Sequence, residues 1–69
     1  MTQKQRISKY MEDFGSITQL EAMKDLGIMR LGARIWEMVR DGEPIVTDWE
    51  KGRNRYGEPT RYARYKLAR

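Results

Sequence analysis

Apolar residues recur along the first third of the chain with the period of an α-helix. Ile7, Tyr10, Met11 and Phe14 stand at i, i+3, i+4 and i+7, one stripe that predicts an amphipathic helix over 2–14. Thr2 followed by Gln5 has the spacing of a capping box, and Gly15 suits a left-handed stop. Ser16-Ile17-Thr18 then reads as a short extended link that carries Ile17 into the core. Thr18 with Glu21 repeats the capping-box spacing and opens a second helix over 19–26. Leu20, Met23 and Leu26 form its apolar face and Gly27 ends it. A third helix over 30–41, stopped at Gly42, gathers Ile28, Leu31, Ile35, Met38 and Val39 on one side. Arg30, Ala33, Glu37 and Arg40 fall on the other, with Arg34 on its flank.

After Pro44 the period changes to two. Ile45, Thr47 and Trp49 alternate with Val46, Asp48 and Glu50; Ala63, Tyr65 and Leu67 alternate with Tyr62, Arg64 and Lys66. These runs predict two strands, 45–51 and 60–67, joined across a basic loop over 51–59. The inward face of the hairpin is expected to add Ile45, Trp49, Ala63, Tyr65 and Leu67 to the core. Met11, Met23 and Met38 fall on apolar stripes and read as core filler, while Trp36 sits on the edge of its helix. Three short helices with a hairpin behind them make an α+β chain, mostly α, and a single domain over 1–69.

Size and composition narrow the chemistry. A chain of 69 residues buries only about 60% of the surface it exposes when unfolded, so its core is marginal. The usual staples are missing, because the sequence has no Cys and no His. That excludes zinc fingers, disulfide scaffolds, cysteine nucleophiles and His-based acid–base catalysis. Acidic pairs such as Glu12-Asp13 have no obvious pocket, so no enzyme and no cofactor is expected. No apolar run approaches the roughly 18 residues of a membrane span, and Met1–Ser8 lacks a signal-peptide core. The expectation is a soluble cytoplasmic protein with no membrane partner.

Charge adds a partner class. Fourteen basic and ten acidic residues give a net +4, and the excess is concentrated near one end. Met1–Asp41 holds seven basic and six acidic residues; Lys51–Arg69 holds seven basic residues against Glu58 alone. A basic C-terminal third on a near-neutral body points to a polyanionic partner. The plainer reading is a solvated hairpin whose charges blunt exposed strand edges.

Helix, short strand, helix, tight turn, helix and hairpin is the element order of a winged helix-turn-helix. Ser16-Ile17-Thr18-Gln19-Leu20-Glu21-Ala22, Asp25-Leu26-Gly27-Ile28-Met29-Arg30-Leu31 and Ala33-Arg34-Ile35 resemble the small helix-turn-helix proteins of bacteriophages and prophages. Asp41-Gly42-Glu43-Pro44-Ile45, Asn54-Arg55-Tyr56-Gly57-Glu58 and Arg61-Tyr62-Ala63-Arg64-Tyr65 continue the likeness, which runs from Gln5 to Leu67. The resemblance implies a DNA-binding domain whose third helix is the recognition helix and whose hairpin is the wing. It also implies a regulator or accessory factor working on the nucleoid of a bacterial host. One departure is Met29, where many winged helices have a Ser or Thr to cap the recognition helix.

On that reading, double-stranded DNA is the partner, and the protein is a monomer or a weak homodimer. Arg30 and Arg34 are the candidates for base contacts, since Arg presents two donors to guanine O6 and N7. Ala33 is small enough to let the helix enter the major groove. Lys51, Arg53, Arg55, Arg61 and Arg64 would hold the backbone and minor groove from the wing. Glu37 is repelled by phosphate and reads better as an internal partner for Arg34 or Arg40. Lys24 and Gln19 are further phosphate candidates. Two other readings stay open. One is a protein-binding module that presents Trp36, Tyr56 and the mixed-charge residues Arg34, Glu37, Arg40 and Asp41. The other is an RNA-binding loop built on Tyr56.

Overall fold

The computed structural model describes residues 1–68 and carries the α+β architecture the sequence predicts. Helix α1 spans Gln3–Phe14 and strand β1 spans Ile17–Thr18. Helix α2, Gln19–Glu21, runs straight into a π-helical turn over Ala22–Leu26, and α3 spans Leu31–Arg40. Strands β2, Ile45–Arg53, and β3, Pro59–Leu67, form the wing. All three strands join one antiparallel sheet of order β1-β3-β2.

Local signals set most of these boundaries. The Thr2 hydroxyl accepts from Gln5 N, and Gln5 Oε1 accepts from Thr2 N, a reciprocal cap on α1. Thr18 and Glu21 repeat the arrangement at the start of α2. Gly15 stops α1 with φ 88°, a left-handed conformation that a side chain resists.

Ile7, Met11, Ile17, Ala22, Ile28, Leu31, Ile35 and Met38 form the core, with Tyr10, Leu26, Ile45, Tyr65 and Leu67 packed around it. Side chains outside α1 and α3 complete it: Ile17 comes from β1, and Ile45, Tyr65 and Leu67 come from the roots of the wing strands. The first turn of α1 is tied to α3 by polar bonds as well. Lys4 Nζ lies 3.1 Å from Glu37 and 3.5 Å from Asp41, and Gln3 Oε1 accepts from Arg34 Nε at 2.9 Å.

Several expected core positions are on the surface instead. Leu20 and Met23 are exposed while Ala22 is buried. The capping box turns Thr18 inward, so the residue four positions on faces the body and Leu20 points away. Phe14 is 71% exposed because the stripe outlasts the surface it packs on, and its ring lies on Tyr10 instead, with centroids 4.7 Å apart. Val39 is exposed because the buried seam of α3 runs through Leu31, Ile35 and Met38.

Trp49 is the largest correction: it is 61% exposed. It lies on the core side of the sheet, but the wing has by then passed beyond the helices. Alternation assigns a residue to a face and does not say how far the cover extends. The strands also run longer than the sequence suggests. The expected loop over 51–59 shrinks to a tip at 54–58, and Lys51 and Arg53 belong to β2. The projecting hairpin raises the radius of gyration to 12.4 Å, against about 11 Å for a compact chain of this length.

Candidate nucleic-acid interface

Strand register sorts the wing's charges onto two faces. Ile45↔Leu67, Thr47↔Tyr65, Trp49↔Ala63, Lys51↔Arg61 and Arg53↔Pro59 are directly opposed pairs, and with a period of two they share one face. Val46↔Lys66, Asp48↔Arg64, Glu50↔Tyr62 and Gly52↔Thr60 share the other. The first face carries Lys51, Arg53 and Arg61 and no carboxylate. The second is neutralised within itself, with Arg64 Nε 2.9 Å from Glu50 and Lys66 Nζ 2.8 Å from Asp48.

The basic face is also the one that turns toward α3. Its root residues Ile45, Tyr65 and Leu67 pack on the core, and the Tyr65 hydroxyl lies 3.8 Å from the position a side chain on Gly32 would occupy. Beyond Tyr65 come Trp49, Arg61, Lys51 and Arg53, all exposed. Lys51, Gly52, Arg53, Pro59, Thr60 and Arg61 line an open trough of about 690 Å³ along the outer wing. One surface thus joins the start of the third helix to a cationic strip on the hairpin.

The candidate cations differ in how free they are. Among the described residues, Arg30, Lys51 and Arg55 have no ion pair or side-chain hydrogen bond, and all three are exposed. Arg53 Nη1 donates to the Gly57 carbonyl at 2.7 Å, and Arg61 lies over Trp49, its guanidinium carbon 5.0 Å from the ring centroid. Both keep donors for a further acceptor. Arg34 is more committed, bonded to Gln3 and to Glu37 at 3.1 Å, as expected for an internal Glu37 pair. Lys4 first, then Arg34, hold the Glu37 carboxyl below the usual carboxylate range. Ala33 is half-buried, beside the exposed Gly32.

Arg64 is the most enclosed of the seven candidate cations, its side chain 23% exposed. Its Nη1 donates to Ser16 Oγ at 2.9 Å and reaches Glu21 at 3.4 Å, while Nε meets Glu50. The Tyr62 hydroxyl and Arg64 push the Glu50 carboxyl down, and Glu50 in turn raises Arg64. This arginine ties the residue ahead of β1, the second helix and both wing strands together. Gln19 is likewise engaged inside the fold, bonded to Ile28 and Leu31.

Arg40 and Trp36, which the sequence offered only for a protein interface, extend the surface beyond the residues expected to contact DNA. Trp36 is 63% exposed, and the Arg40 guanidinium carbon lies 4.9 Å from its ring centroid. The signal was available, because Trp36 and Arg40 are four apart on one helix. The equivalent pair on the wing, Trp49 with Arg61, needs the strand register, which the sequence pattern leaves open.

Three helices with a two-stranded wing whose basic face adjoins the third helix define a winged-helix protein. The chain belongs to the winged helix-turn-helix domain family, whose pattern it matches over residues 2–69. That membership suggests DNA binding, and such domains are typically non-enzymatic. No curated protein and no solved structure matches the chain. Among the described residues, no helix is long and apolar enough to cross a membrane.

Proposed function

We propose that this protein binds duplex DNA, with α3 in the major groove and the basic face of the wing along the backbone and into the adjacent minor groove. The observation that carries this reading is the segregation of charge on the wing. Lys51, Arg53 and Arg61 stand on the face turned toward α3, while the carboxylates of the hairpin stems are matched on the other. Lys51 and Arg61 are directly opposed, an unfavourable pairing in the free protein that an intervening phosphate relieves.

Arg30, at the start of α3, reads base edges, and the small residues Gly32 and Ala33 let the helix approach. Lys51, Arg53, Arg55 and Arg61 hold phosphates, with Arg40 as a further anchor steadied by Trp36. Arg34 and Arg64 act by shaping this surface, since their guanidinium groups already have partners. The resemblance to phage and prophage proteins supports a regulatory or accessory role on such a genome.

The test is a fluorescence-anisotropy titration against mixed-sequence duplex at several salt concentrations. Four or five neutralised phosphates give a log–log slope of about −4, and replacing Lys51, Arg55 and Arg61 by Gln lowers its magnitude by about 3. Absence of binding at low salt overturns the reading. A second reading, a protein partner seated on α3, is favoured by the exposed Trp36 and Val39. It predicts salt-insensitive binding to a protein, abolished by Trp36→Ala, and no affinity for DNA.

A further inference from the structure

The tip of the wing is fixed by its own hydrogen bonds, yet its two central side chains are left unused. Asn54 Oδ1 accepts from Tyr56 N at 2.9 Å and Glu58 N at 3.0 Å, and Asn54 Nδ2 donates to Glu58 Oε1 at 2.9 Å. Gly57 N donates to the Asn54 carbonyl and Asn54 N to the Glu58 carbonyl, while Arg53 holds the Gly57 carbonyl. Gly57, at φ 75°, supplies the left-handed residue that closes a three-residue hairpin loop. This is a preorganised loop. It presents Arg55 without a polar partner and Tyr56 at 83% exposure.

The surroundings of that ring select its ligand. Arg53, Arg55, Arg61 and Lys51 lie at or next to the tip, and the nearest carboxylate in sequence, Glu58, is already bonded to Asn54. An exposed aromatic ring carried on a preorganised loop among cations suits a polyanion that also offers flat apolar faces, which is the chemistry of a nucleobase on its backbone. To stack within an intact duplex, the ring has to open a base step, and the unstacking offsets what the new stack returns. An unpaired base presents its face without that penalty.

We infer that Tyr56 stacks on an unpaired DNA base, so that the wing tip favours duplex interrupted by a gap or ended by an overhang. This rests on the duplex-binding reading and adds a structural preference to it. Arg55 and Arg53 hold the phosphates that flank the stacked base.

The experiment compares two labelled DNAs of equal length and sequence, one intact and one with a short single-stranded thymine gap, by anisotropy titration at fixed salt. The wild-type chain is expected to bind the gapped DNA about tenfold more tightly, the worth of one aromatic–base stack. Tyr56→Leu should lose that preference while keeping its thermal midpoint and its affinity for intact duplex. Tyr56→Trp should retain the preference. Equal affinity of the wild type for both DNAs overturns the inference and leaves duplex binding standing, as does a preference that survives in Tyr56→Leu. Failure to bind either DNA at low salt overturns both.

Discussion

The side chain of Gln19 caps the third helix from a distance: its Oε1 accepts from Leu31 N at 2.9 Å. Its Nε2 donates to the Ile28 carbonyl at 3.0 Å, so one amide spans the turn between the second and third helices. Arg30 occupies the N-cap position and makes no capping bond. The hydroxyl that Met29 and Arg30 lack is thus replaced from a neighbouring helix, which fixes the start of α3 against the turn before it. Gln19→Ala leaves a part-buried N–H and C=O unpaired, a loss of about 1–3 kcal/mol. The thermal midpoint should fall by at least about 4 °C. Gln19→Glu keeps the acceptor for Leu31 and loses the donor to Ile28, so its midpoint should lie between the two. A midpoint unchanged in Gln19→Ala removes the capping role.

Features that depend on a few adjacent residues were legible in the sequence. Both capping boxes, the Gly15 stop and the order of elements follow from hydrogen-bonding groups at fixed short spacings. The burial of Ile7, Met11, Ile17, Leu31, Ile35 and Met38 follows from helical periodicity and one extended link, whereas Ile28 is buried from the turn ahead of α3 and not from a helix face. What escaped was reach. Trp49, Phe14 and Leu20 have the pattern of core residues, but whether a face is covered depends on where neighbouring elements end. The candidate surface divides the same way. A basic wing is visible as composition, whereas the separation of Lys51, Arg53 and Arg61 from Asp48 and Glu50 appears only once the strands are in register. The remote cap by Gln19 spans twelve residues and has no local signature.

Arg64 should prove structural. Its guanidinium joins Ser16, Glu21 and Glu50, so Arg64→Ala removes a charge-assisted hub and deprives both carboxylates of the guanidinium they share. The thermal midpoint should drop, and Arg64→Lys should restore little, because an ammonium lacks the planar fork that serves three partners. Affinity for duplex DNA, measured well below that midpoint, should stay within about twofold of wild type. A tenfold loss with an unchanged midpoint would return Arg64 to the DNA contacts.

Lys51 offers a test in which stability and binding move in opposite directions. It faces Arg61 across the strands, so Lys51→Glu turns a repulsive pair into an attractive one. The free hairpin should gain roughly 0.2–1 kcal/mol, seen as a small rise in thermal midpoint. Duplex affinity should fall, since one cation is lost and an anion is placed on the basic face. Lys51→Gln, which removes only the charge, should fall between the two in both measurements. A variant that binds DNA as well as wild type would place the interface elsewhere.

The Tyr10 hydroxyl donates to Asp25 Oδ2 at 2.6 Å, joining α1 to the π-helical turn. That bond first, and burial second, push the Tyr10 pKa up from 10.0 to about 12. The protonated phenol is therefore favoured in the folded state. Its contribution to stability is complete below pH 10 and declines as the pH rises toward 12, because the unfolded chain releases the proton earlier. Glu37 and Glu50 work with the opposite sign. Held down mainly by Lys4 and by Tyr62 with Arg64, they stabilise the fold above the ordinary carboxylate range and lose that contribution as the pH falls below it. Unfolding midpoints across pH should show a plateau with a fall at each end. Spectrophotometric titration of the phenols should find a late step near pH 12 that moves toward 10 in Asp25→Ala. If that step stays near 12 in the variant, the Asp25 bond is not its cause.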